Sequence, residues 1–240
     1  MAEAGLSSGR IAVVSGTSRG VGKALAEHLL VRGDRVIGIA RGEADIAHPG
    51  YSHYRADIAD AAQVQAVFRA IKRAHGGIDI LINNAAVLTS QRAMVLDPGA
   101  AKAMVDINLF GTFMVSREAA RLMLRRPGAR IVTIGSMAAA LQPAGDSVYA
   151  ATKAAAAVLS NVLARELGPL GITSNTLAIS AIESDMLRQL PRERVDEIIA
   201  TLPVPRLAAI ADVINALDFF LSPRSDYVTG QTIWLGGLHA

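Results

Sequence analysis

Apolar positions along the chain alternate between two kinds of stretch. Short runs of strand length fall at 10–15, 35–40, 53–56, 79–82, 130–134, 173–177 and 232–235. Between them, apolar residues recur at helical spacing over 21–32, 61–75, 100–105, 109–126 and 148–167, within 183–201, and over 211–221. Gly33, Gly76-Gly77 and Pro127-Gly128 stand where three of the helical patterns stop. Runs such as Ile131-Val-Thr-Ile134 and Val36-Ile-Gly-Ile-Ala40 are apolar almost throughout, as strands covered on both faces must be. Regular alternation of strand and helix predicts parallel strands joined by crossover helices. No linker, repeat or low-complexity block interrupts it, so residues 1–240 read as one domain.

Composition removes several classes of protein. The 240 residues are 51% hydrophobic and 19% charged, enough to bury a sizeable core and too apolar for a disordered chain. The lack of cysteine excludes a disulfide scaffold and suits a reducing cytoplasm. A net charge of +3, carried by scattered arginines, argues against a nucleic-acid partner. The apolar stretch 131–141 is too short to span a bilayer, and residues 1–10 lack the basic-then-apolar order of a secretory leader. A soluble, cytoplasmic protein without a membrane partner is the expectation. His28, His48, His53, His75 and His239 show no metal-ligand spacing, so no metal is expected.

The first chemical signal is Gly16-Thr-Ser-Arg-Gly20-Val-Gly22, directly after the first strand and opening the first helix. Glycines there permit a tight turn and close backbone approach, and the helix N-terminus offers free N–H groups to a pyrophosphate. A second signal is Tyr149 four residues before Lys153, which puts both on one helical face. A free phenol titrates near pH ~10, and a neighbouring ammonium lowers that by about 1–3 units. Tyr149 would then exchange a proton with a carbonyl or alcohol oxygen near neutral pH. Ser136, at the carboxyl end of a strand, can hydrogen-bond the same oxygen.

In order, the glycine loop, Asn83-Asn84-Ala85, Asn108, Ser136, Tyr149 and Lys153 make the chain resemble the short-chain dehydrogenase/reductase family over essentially its whole length. Within it, residues 182–186, 202–207 and 227–232 look most like the 3-oxoacyl-carrier-protein reductases. The resemblance implies an α/β fold, a single Rossmann-type doubly wound domain with a mostly parallel sheet of about seven strands. It implies a nicotinamide cofactor contacted by Gly16, Ser18, Arg19, Gly20, Val21, Gly22, Asp57, Ile58, Asn83, Ala85, Ile182 and Ser184. Asn108, Ser136, Tyr149 and Lys153 are the implied catalytic set. Lys153 would also hold the nicotinamide ribose, and Asn108 a water that relays protons to it. A substrate-covering segment at about 180–207 and a homo-oligomer, tetramer or dimer, are implied as well.

Charge favours one form of the cofactor. An NAD site expects a carboxylate about 20 residues beyond the glycines, but here the second strand ends Ile39-Ala40-Arg41. Arg41 and Arg19 suit a 2′-phosphate, so NADP(H) is preferred, with NAD(H) as the alternative. Two positions depart from the family pattern: Ala86 replaces the last glycine of Asn-Asn-Ala-Gly, and Ile179-Ser180 replaces a Pro-Gly turn beside the nicotinamide. Val87, Leu88 and residues 137–141 predict an apolar pocket wall for a small carbonyl or alcohol substrate, free or carrier-bound. Arg125, Arg126 and Arg130 are candidate guides for an acidic carrier, and Arg188, Arg192 and Arg194 for an anionic substrate, although solvated helix charges explain both sets. The expected activity is reduction of a ketone or 3-oxoacyl thioester. NAD-dependent alcohol oxidation and a non-catalytic dinucleotide-binding regulator are the alternatives.

Overall fold

Strand β1 (Ile11–Ser15) sends Val13 to one face of the sheet and Ala12 and Val14 to the other, and both faces are apolar. The structure is a computed structural model that describes residues 9–183, 187 and 192–237. After β1 the chain runs through α1 (Gly20–Val31), β2 (Arg35–Ala40), β3 (Tyr51–Arg55), α2 (Ala61–His75) and β4 (Ile80–Asn83). It continues through α3 (Pro98–Val105), a π-helical turn (Asp106–Gly111), α4 (Thr112–Met123), β5 (Arg130–Ser136), α5 (Ala138–Leu141) and α6 (Ser147–Leu167). β6 (Thr173–Ile179), α7 (Arg192–Thr201), α8 (Ile210–Leu221) and β7 (Thr232–Trp234) complete it.

The seven strands make one all-parallel sheet in the order β3-β2-β1-β4-β5-β6-β7. One apolar layer joins Val13, Leu81 and Ile131 of the sheet to Val64, Phe68 and Ile71 of α2, Val115 of α4 and Leu163 of α6. The other joins Ala12, Val14 and Ile82 to Leu25 and Leu29 of α1 and Val213, Leu217 and Phe220 of α8. The doubly wound arrangement expected from the sequence is therefore the observed one. Its strand order reverses between β1 and β4, where the connections leave in opposite directions and open a crevice at the carboxyl ends of the strands.

Some boundaries differ from the sequence reading. β3 begins at Tyr51, two residues early, because Tyr51 pairs with Val36. The helical pattern at 109–126 starts as the π turn, and the short α5 is an addition, closed by Gln142 at φ +47°. Ser147–Leu170 is the one helical segment among the described residues long and apolar enough to cross a membrane. It exceeds the 131–141 stretch, yet α6 packs against β5 and β6 as a core helix.

Candidate active site

Ser15 ends β1, and Gly16 (φ +79°) and Gly20 (φ +59°) then turn the chain through the left-handed region that favours glycine. Gly22 is required for another reason. A Cβ there would lie 2.2 Å from Gly16 O and 2.3 Å from Asn84 Nδ2. A Cβ on Gly20, by contrast, would meet nothing within 4 Å, so space remains above the loop. Arg19, at the N-cap of α1, makes no side-chain cap, and the first turn holds no carboxylate. Helix N–H groups at the start of α1, beside a loop that admits no side chain at Gly16 or Gly22, fit a pyrophosphate.

The neighbouring strand locks this loop. Ser15 Oγ accepts from the amides of Asn84 (3.0 Å) and Ala85 (3.1 Å), and Asn84 Nδ2 donates to Ser15 O (3.0 Å) and Gly16 O (3.3 Å). Asn83 points the opposite way, into the core, where its Nδ2 donates to Ser116 Oγ at 2.8 Å. Strand alternation thus gives the cleft position to Asn84 and withdraws the Asn83 side chain from it.

A cleft of about 640 Å³ runs from the glycine loop across the switch point. Gly16, Ser18, Arg19, Gly20, Val21, Gly22, Arg41, Asp57, Ile58, Ala85, Ser136, Tyr149, Lys153 and Ile182 border it, while Asn83 and Asn108 do not. Ser184 and Arg188 lie outside the described residues, as does the side chain of Arg194; Arg192 is exposed. Ala86, Ile179 and Ser180 also border the cleft without the positive φ that a glycine would supply, so both departures are accommodated in ordinary backbone. Val87, Leu88, Met137, Leu141 and Pro143 give one end an apolar wall.

At that end Tyr149 and Lys153 lie one turn apart on α6, both buried. The Tyr149 hydroxyl is hydrogen-bonded to the Ser136 side chain. Lys153 Nζ donates to Ile134 O at 2.9 Å and sits 5.9 Å from the centre of the Tyr149 ring. The expected acidification of the phenol is reversed here. Burial pushes Tyr149 up to about 12, the charge of Asp146 adding to it and the Ser136 bond opposing it. Burial also pulls Lys153 down to about 8. Desolvation outweighs the nearby cation, so the phenol holds its proton throughout the neutral range.

Asn108 stands behind the cleft wall in the π turn, 2% exposed. Its Oδ1 accepts from Val87 N (2.8 Å), and its Nδ2 donates to Val87 O (2.9 Å) and Thr152 Oγ1 (3.1 Å). The side chain thereby braces the wall against α6 beside Lys153. Asp146, which the sequence reading passed over, borders the cleft and accepts from Ser90 Oγ at 2.6 Å. Its only signal in the sequence is a carboxylate just ahead of the helix that carries Tyr149.

At the opposite end, Arg41 follows β2, and Ala40 pairs with Arg55 across β3. Arg41, Arg55, Asp57 and Gln63 line an adjoining hollow of about 430 Å³. Arg55 is a cation that the sequence conceals until the β2–β3 register is known. Asp57 Oδ1 accepts from Ala59 N at 2.9 Å, and Asp60 caps α2. Glu43 pairs with Arg55 (3.3 Å) and Asp45 with Lys23 (3.8 Å), so the nearby acids face other cations. The arginines considered for carrier docking lie elsewhere. Arg130 is buried at the start of β5, and Arg126 is tied to Asp79 (3.6 Å) and His75 O (3.2 Å).

A glycine cradle at a sheet switch point, with a buried phenol, a serine hydroxyl and a lysine in the same cleft, defines a dinucleotide-dependent oxidoreductase. Residues 10–195 match the family model described as short chain dehydrogenase, and the chain belongs to that family. It is accordingly an NAD(P)-dependent enzyme that interconverts CH–OH and C=O groups. The 3-oxoacyl-[acyl-carrier-protein] reductase FabG of Salmonella typhimurium is 34% identical over 235 residues, covering 95% of this chain and 96% of that protein. A gluconate 5-dehydrogenase from Burkholderia cenocepacia, solved in complex with NADP and tartrate, superposes with a TM-score of 0.90 at 30% identity, covering 96% of this chain and 94% of that one. An aldohexose dehydrogenase from Thermoplasma acidophilum, in ligand-free form, gives 0.88 at 26%, with coverage of 96% and 94%.

Proposed function

We propose that the protein uses NADP(H) to reduce a ketone or 3-oxoacyl thioester to a secondary alcohol, with Tyr149 as general acid in that direction and general base in reverse. One observation carries the reading: the Tyr149–Ser136 hydroxyl pair opens onto the same cleft as the glycine cradle. When bound, the cofactor supplies or accepts a hydride at the carbonyl carbon. Ser136 and Tyr149 hold the carbonyl oxygen between two hydroxyls, and Tyr149 gives that oxygen its proton as negative charge develops there. Lys153 holds the ribose and stabilises the tyrosinate left behind. Asn108 acts through position, keeping Val87 and α6 in register.

Reduction is supported by a phenol that burial keeps protonated, and by the reductase name of the Salmonella relative. Preference for NADP(H) is supported by Arg41 and Arg55 at the ends of β2 and β3, by the absence of a carboxylate at the end of β2, and by NADP in the Burkholderia structure. A small ketone suits the apolar wall. Arg130 offers a carrier no guidance, being buried at the far end of β5, about 20 Å from Ser136 at ~3.3 Å per residue. Exposed Ala151, Ala154, Val158 and Val162 give α6 an outward apolar stripe that supports a homo-oligomer.

The cofactor reading predicts at least a tenfold higher kcat/KM with NADPH than with NADH. Arg41→Ala should lower the NADPH value about 10- to 100-fold, the worth of a charge-assisted phosphate contact, and leave NADH nearly untouched. Steady-state kinetics with both cofactors decide it, and better efficiency with NADH overturns the preference.

A further inference from the structure

We propose that His53, acting through Tyr51, is a positioning residue that ties the Arg41-Gly42 turn to the glycine loop and so sets affinity for the 2′-phosphate end of the cofactor; this rests on the NADP(H) reading above. Three hydrogen bonds make the tie. Thr17 Oγ1 and Tyr51 OH are 2.9 Å apart, Tyr51 OH and His53 Nδ1 are 2.9 Å apart, and His53 Nε2 lies 3.0 Å from Gly42 O. The carbonyl at one end fixes the direction of the first bond. A carbonyl oxygen only accepts, so Nε2 donates to Gly42 O. With its proton on Nε2, the imidazole offers Nδ1 as an acceptor to Tyr51, whose oxygen can in turn accept from Thr17.

Thr17 is wholly buried between Gly16 and Ser18 of the cradle, and Gly42 follows Arg41. The relay thus runs from the loop that fits the pyrophosphate to the turn that presents the arginine. Room for it is built into β2. A Cβ on Gly38 would lie 2.1 Å from Tyr51 OH and 2.4 Å from Thr17 Oγ1, which accounts for a glycine inside a strand where it otherwise costs stability. The turn is held a second time from β3, since Arg55 Nε donates to Arg41 O at 3.3 Å and Arg55 also pairs with Glu43. Successive carbonyls of the turn, at 41 and 42, are therefore both gripped by β3 side chains. His53 is itself half-buried at the edge of the sheet and belongs to neither apolar layer. Its contribution is orientation rather than packing.

His53→Ala should raise KM for NADPH about tenfold, with kcat within about twofold of the parent and KM for NADH unchanged. His53→Gln, whose amide can donate to Gly42 O and accept from Tyr51, should recover most of that loss. Tyr51→Phe should resemble His53→Ala, and the double variant should be no worse than either alone, because all interrupt one relay. Calorimetric titration with adenosine 2′,5′-bisphosphate and with 5′-AMP separates the failures. If the parent protein binds both equally, the NADP(H) reading falls and this one with it. If the parent prefers the bisphosphate while His53→Ala leaves that affinity intact, or weakens both ligands alike, the relay alone is overturned.

Discussion

Tyr149→Phe is expected to lower kcat/KM for carbonyl reduction by about 10²–10⁴-fold, the usual worth of a general acid, while NADPH binds as tightly as before. The substitution removes one oxygen from a buried ring of unchanged shape. Folding loses about 1 kcal/mol for a single hydrogen bond, and Ser136 Oγ keeps the amide of Ala138 at 3.2 Å. Loss of turnover would therefore be chemical rather than structural. The pH dependence has a definite sign. With Tyr149 at about 12, the protein supplies a proton across the neutral range, and the phenol causes no decline in reduction there. Oxidation needs the tyrosinate, so its kcat/KM should climb with pH. Steady-state rates beside a fluorescence titration of NADPH test both parts. Near-normal turnover by the variant, or oxidation that slows as pH rises, would remove Tyr149 from its role.

Local signals in the chain carried different amounts of information. Helix α2 was readable to the residue, because Gly76 closes it in the left-handed conformation and the run before it is strictly periodic. β3 was misplaced, because it is a half-exposed edge strand whose polar Ser52 and His53 dilute the apolar signal. The π turn at Asn108 left no trace, since one extra residue in a helical turn hardly disturbs a 3.6-residue pattern. Asn83 and Asn84 illustrate a phase problem. Two identical neighbours on a strand face opposite ways, and only the register with β1 and β5 says which one sees the cleft. Tyr149 and Lys153 were placed correctly on one helical face, but their charge states depend on burial from β5 and the wall at Val87–Leu88, which are distant in sequence. Arg55 became visible as a partner of Arg41 only through the pairing of Ala40 with Arg55.

Replacing Lys153 with methionine should separate stability from function. A lysine in water keeps its proton to about 10.5, whereas burial brings this one down to about 8. At this position the unfolded chain therefore binds more proton between pH 8 and 10.5, and the Lys153 contribution to stability rises with pH through that window. Below it the buried ammonium costs on the order of 3 kcal/mol, at ~1.4 kcal/mol per pH unit. Methionine removes that cost, while leaving Ile134 O without its donor gives back about 1–3 kcal/mol. A net gain of about 0–2 kcal/mol at pH 7 should raise Tm by up to about 6 °C, and any gap from the parent should close by pH ~10. Activity should move the other way, falling at least about 10²-fold as the tyrosinate loses its cation. Reduction by the parent is expected to decline above pH 8 as Lys153 loses its proton, and that decline should vanish from the residual rate of the variant. Scanning calorimetry at pH 7 and pH 10 reads the first effect, and a variant that melts lower at pH 7 would mean that the lysine stabilises the fold it occupies. Such a result would also undo the account of the active site, because a lysine held at no cost would not titrate near 8 and could not place its charge under the control of the cleft.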